Sequence, residues 1–187
     1  MYNLLNLSRH YSILFFCLFI SLPAQAGLVT FEGFSDSSSL TNEIPGLTFS
    51  DATILTAGIS LNEFDYPPYS GENVAAGLNG SIQVTFDNLM NDVSGYFTFA
   101  EVLTLSVFDS NGGLLANTQS STGSNLGSNE FIALSATGIR SLLITSNSPF
   151  TLDDLSYVPE PSTFLLLVIG LTGIGVSRFT PILFKSH

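Results

Sequence analysis

Along the middle of this chain polar and apolar residues alternate with a period of two. Ile82, Val84 and Phe86 alternate with Ser81, Gln83 and Thr85, and Val93, Gly95, Phe97 and Phe99 with Ser94, Tyr96 and Thr98. Leu103, Leu105 and Val107 do the same against Thr104 and Ser106. Successive side chains of a strand point to opposite faces, so this spacing predicts strands with one buried face. Leu28 to Phe31, Gly46 to Ser50 and Ala52 to Leu55 are further short β-rich runs, while Phe131 to Leu134, Ile139 to Thr145 and Phe150 to Tyr157 read as the last three strands. Asp109-Ser110-Asn111-Gly112-Gly113 has the composition of a tight turn, because asparagine and glycine adopt positive φ cheaply, and it predicts a hairpin closing onto Leu114 to Ala116. No part of this region keeps a 3.6-residue apolar period over a helix length. Short strands with regular turn signals and no crossover helices predict an all-β fold, an antiparallel β-sandwich of jelly-roll type.

Both ends of the chain break the pattern. Arg9 and His10 precede an apolar run from Tyr11 to Leu22, and Pro23-Ala24-Gln25-Ala26 follows it. This is the form of a secretory signal peptide over residues 1–26, read by signal peptidase and the secretion machinery. Small Ala24 and Ala26 set the cleavage before Gly27, and Cys17 leaves with the leader. At the other end Val158-Pro159-Glu160-Pro161 precedes an apolar block from Phe164 to Val176, then Arg178 and, further on, Lys185. Each proline removes an amide donor, so the folded domain is expected to stop at Tyr157, giving a domain over 27–157. Thirteen helical residues span about 20 Å against a hydrocarbon core of about 30 Å, so the transmembrane helix expected within 158–187 is short for a permanent anchor unless it continues through Phe184 with Arg178 snorkelling, and it suits a segment destined for cleavage.

That order of proline-glutamate-proline, apolar helix and basic residue resembles the PEP-CTERM sorting signal of Gram-negative, exopolysaccharide-producing bacteria. The resemblance implies that Pro159, Glu160 and Pro161 are recognised by an exosortase, an integral-membrane cysteine protease that removes the tail. It also implies transient insertion in the inner membrane, followed by the cell surface or extracellular matrix, with exopolysaccharide as a partner. Where that family carries a cluster of arginines after the helix, this chain has Arg178 and Lys185.

Charge and missing residue types narrow the chemistry. Between Gly27 and Tyr157 fourteen carboxylates face a single arginine, Arg140. Nucleic acid and anionic lipid are polyanions and would be repelled. The same span has no cysteine, histidine or lysine, which removes disulfides, His-based zinc sites, Ser-His-Asp or Cys-His nucleophiles and phosphate loops of the lysine type. A non-catalytic protein is expected.

Two candidate sites remain. In the loop from Ser60 to Val74, Tyr66 and Tyr69 flank a proline pair and offer flat faces for sugar rings, with Glu63 and Asp65 able to bond hydroxyls. Glu63, Asp65 and Glu72 are also the only paired acids that a small glycoside hydrolase would need. The run N-E-F-D-Y-P-P-Y-S-G-E-N-V, with the terminal F-T-L-D-D-L-S-Y, resembles exported bacterial β-sandwich domains found upstream of PEP-CTERM tails. The second site is calcium, by analogy with jelly-roll carbohydrate-binding modules whose first and last strands are neighbours. Glu32 follows the first strand and Asp153 and Asp154 lie in the last. Adjacent strand residues point to opposite faces, so only one aspartate faces a shared ion unless a bulge intervenes.

Overall fold

The computed structural model describes residues 26–160. The leader with Ala24, the tail with Pro161 and the expected membrane helix lie outside the described residues. Ten strands make up the domain, namely β1 (Gly27–Val29), β2 (Ser39–Leu40), β3 (Leu47–Ser50), β4 (Ala52–Thr56), β5 (Asn73–Gly77), β6 (Ser81–Phe99), β7 (Thr104–Phe108), β8 (Leu114–Gln119), β9 (Glu130–Thr145) and β10 (Phe150–Pro159). Every pairing between them is antiparallel.

The hydrogen-bonded order is β2-β4-β5-β10-β6-β9-β7-β8, with β1 added on β10 and β3 on β6. Two long strands carry this ladder through both layers of a β-sandwich. The first half of β6, Ser81 to Phe86, lies between β3 and the second half of β9. Its second half, Val93 to Phe99, lies between β10 and the first half of β9. Register shifts between Thr85 and Asp92 mark the passage from one layer to the other, as bulges do where strands change sheets. The inward residues of both layers meet in one apolar core in which Phe31, Phe86, Phe97, Phe99 and Phe150 are fully buried. Burial of side chains this size contributes roughly 2–3 kcal/mol each, which suits a domain without disulfides.

The expected all-β antiparallel sandwich is therefore present, with three differences in detail. Two pairs of expected strands are continuous, one as β6 and one as β9, because their polar middles bulge instead of turning. Asn73 to Gly77, assigned from sequence in part to a loop, is a strand with all five residues buried. Finally, β10 does not stop at Tyr157. It continues through Val158 and Pro159, and the Glu160 amide still donates to the Leu89 carbonyl at 3.0 Å. Pro159 is tolerated because it falls at a register shift near the strand end, where an absent amide matters least.

Candidate ligand-binding face

The loop between β4 and β5 folds over the outer face of β10, and buried polar groups fix it there. Asn73, 5% exposed, donates to the carbonyls of Phe31 and Phe34 and accepts from the Thr56 hydroxyl. Glu32 Oε1 accepts from the amides of Glu72 and Asn73, both at 2.9 Å. Asp153 Oδ2 accepts from the amides of Tyr69 and Ser70, both at 2.8 Å, and its Oδ1 from the amide of Asp154 at 2.7 Å. The Pro67-Pro68 pair has no donors of its own, so the first free amides behind it are the two that Asp153 takes. Asp153 is only 1% exposed. Burial, opposed by the amide bonds from Ser70 and Asp154 and assisted by the charge of Asp154, pushes its carboxyl up to about 6.

A second loop, 120–129, closes the neighbouring flank. Asn125 acts as a short strand: its backbone amide donates to the Phe99 carbonyl, its Oδ1 accepts from the Phe99 amide, and its Nδ2 donates to the Phe97 carbonyl. The two loops are tied by Gly127 N to Asp65 O at 2.8 Å and by Asn129 Nδ2 to Pro67 O at 3.1 Å.

Between these loops the outer sheet face carries a row of aromatic rings. Tyr96 on β6 lies opposite Phe131 on β9, with ring centroids 5.2 Å apart. Tyr69 stacks on Tyr96 at 3.4 Å with the planes 7° apart. Face-to-face overlap is the less favoured arrangement for two free rings, so the position of Tyr69 is set by the clamp of Asp153 on its backbone rather than by the rings alone. The neighbouring Tyr69 hydroxyl, burial, and the charges of Tyr69 and Asp154 push the Tyr96 phenol upward. Tyr69 is 49% and Phe131 56% exposed, leaving a broad apolar ledge open to solvent.

The structure separates the expected tyrosine pair. Tyr69 belongs to the ledge, whereas Tyr66 is half-buried beside a recess of about 190 Å³ lined by Leu55, Leu61 and Phe150. Burial, with the charge of Asp65 second, pushes the Tyr66 phenol upward. Glu63 accepts from the Gly58 amide and Asp65 from Asn62 Nδ2, so both expected sugar-binding carboxylates are engaged within their own loop. Tyr96 and Phe131 are the ledge residues that sequence reasoning missed. Their signal was an aromatic side chain at a polar-face position of an alternating strand.

The expected neighbourhood of first and last strands is real, since β1 pairs with β10 and a bulge with Asp154 at φ 48° separates Asp153 from Ser156. The calcium ligand set is not assembled there. Among the described residues no three His, Cys, Asp or Glu side chains group so as to hold a metal ion. Glu32 Oε1 and Asp153 Oδ2 each accept two loop amides, and Asp154 accepts from the Ser70 hydroxyl.

A family model for the PEP-CTERM protein-sorting motif matches residues 158–178. The chain thus carries the sorting motif of exported proteins that are held in the membrane in transit and processed by an exosortase-type system. No curated protein matches the chain. Among solved structures, a cleaved adhesin domain of Lys-gingipain from Porphyromonas gingivalis is 9% identical, covering 73% of this chain and 99% of its own, with a TM-score of 0.48. A cyclase from Fischerella sp. is 15% identical over 73% of this chain and 98% of its own, at a TM-score of 0.47. A family 6 carbohydrate-binding module is 12% identical over 72% of this chain and 94% of its own, at 0.41.

Proposed function

We propose that this exported chain is a non-catalytic protein of the cell surface or extracellular matrix, and that its sandwich contacts polysaccharide through Tyr69, Tyr96 and Phe131. The observation that carries this reading is the pair of exposed rings, Tyr69 and Phe131, packed on either side of half-buried Tyr96 of the sheet. A pyranose presents a flat C–H face that packs against such rings, and a ledge whose backbone is already fixed loses little further entropy on binding. The carboxylate-rich surface favours a neutral glycan over one rich in uronic acids, because like charges repel.

A non-catalytic role is supported by the absence of histidine, cysteine and lysine from residues 27–157 and by the local hydrogen bonds of Glu63 and Asp65. The test is retention on the host's own exopolysaccharide. The Tyr69→Ala, Phe131→Ala double variant should lose most of its retention, at least tenfold, while keeping its circular dichroism spectrum. Retention equal to wild type with an intact fold would leave a purely structural matrix role. Turnover of a glycoside that is lost in Glu63→Gln or Asp65→Asn would replace the non-catalytic reading with a hydrolase.

A further inference from the structure

The sorting motif starts at residue 158 and β10 ends at Pro159, so motif and sheet overlap. Val158 lies opposite Asp92 and Pro159 opposite Met90 on β6, and the Glu160 amide donates to Leu89 O at 3.0 Å. One residue earlier, Tyr157 is flanked on both sides, by Val93 of β6 and by Gly27 of β1. Val158, Pro159 and Glu160 are all half-buried. A protein that reads a peptide segment in extended form does so largely through main-chain hydrogen bonds. In this domain β6 already takes part of that set.

We infer that the folded sandwich holds the first residues of the sorting motif shut, and that the sorting machinery engages Pro159 and Glu160 only after the end of β10 peels from β6. This rests on the reading of the tail as the substrate of an exosortase-type system. Peeling is local because the docking is weak where the motif begins. Asn91 is the extra residue of β6 between the Val158 and Pro159 rungs, and no β10 residue pairs with it. Its Oδ1 is the one buried side-chain polar atom among the described residues without a hydrogen-bond partner. A rung that carries an unpaired residue and an unsatisfied acceptor gives the ladder a weak point at the start of the motif. Pro159, opposite Met90, has no amide to donate to the hold. The tightly buried part of β10, Phe150 to Asp153, is several rungs away and stays in place.

The test is a staple. Asp92 and Val158 are partners across the β6–β10 ladder, at a separation that suits a disulfide, and the export compartment is oxidising. The full chain carrying Asp92→Cys and Val158→Cys, expressed in a host with an exosortase-type system, should form the disulfide and keep its tail. Trimming is read by mass spectrometry of the C-terminal peptide and should fall at least tenfold. Each single variant, and the double variant under reductant, should be trimmed like wild type. A six-residue Gly-Ser insertion between Val158 and Pro159, which frees the motif from β6, should be trimmed at least as fast as wild type. A stapled chain trimmed at the wild-type rate overturns the inference alone, as does failure of the two cysteines to bond. A wild-type chain that keeps its tail in that host overturns the sorting reading and the inference with it.

Discussion

Replacing Asp153 with asparagine isolates the energetic effect of one buried charge. In the fold the carboxyl rises from 3.8 to about 6, with burial as the main cause. A difference of that size corresponds to about 3 kcal/mol between the protonated and ionised forms. Between those two values the folded domain holds the proton and the unfolded chain does not. Asp153 therefore contributes stability that is complete below about pH 4 and lost as the pH rises through about 6. The group is 1% exposed, so solvent screening removes little of this. Asparagine keeps an oxygen for the Tyr69 and Ser70 amides, but its NH2 faces the Asp154 amide and forfeits one bond, about 1–2 kcal/mol. Urea unfolding of wild type and Asp153→Asn at pH 4, 5, 6 and 7 cancels the other carboxylates, which the two proteins share. The wild type should gain on the variant by about 2.4 kcal/mol between pH 7 and pH 4, with most of the change between pH 6 and 4. A difference that stays flat across this range, or that shrinks as the pH falls, would show that the buried charge is not the source and refute the reasoning.

Other perturbations reach the same loop. Gly71 sits at φ 57°, and a Cβ added there runs into the Glu32 carboxylate, so Gly71→Ala should cost about 1–3 kcal/mol and lower the melting temperature by several degrees. Asn73→Ala strands two carbonyls and the Thr56 hydroxyl in a buried site, and calorimetry should record a loss of about 2–3 kcal/mol. A melting temperature unchanged in either variant would mean that the loop is not held by these groups.

The legible parts of the fold were those with one wet and one dry face. Ile82, Val84 and Phe86 announced their strand because the residues between them are polar. Asn73 to Gly77 gave no such alternation: both its faces are covered, and after Asn73 the run is short, small and apolar. The polar middle of β6, around Asp87 to Asn91, looked like a connection because a bulge between layers needs residues that tolerate water. Likewise the prolines suggested an end to the sheet, and only the position of the register shift shows why Pro159 fits. The ledge was half visible. Tyr69 stood out in its loop, but Tyr96 and Phe131 join it through pairing across long stretches of sequence, which no local pattern reports. The carboxylates Glu32 and Asp153 were picked out as neighbours of the chain ends, and their amide partners became evident only with the loop in place.

The tie between Asp153 and the backbone of Tyr69 and Ser70 also has a mechanical meaning. Tyr69 of the aromatic ledge is tied through its backbone amide to Asp153 on β10, and β10 runs on to Pro159. Tension between a polymer gripped at the ledge and whatever holds the tail would travel along a few peptide units of β10. The Phe-rich interior of the sandwich would stand beside that line of force and bear little of it.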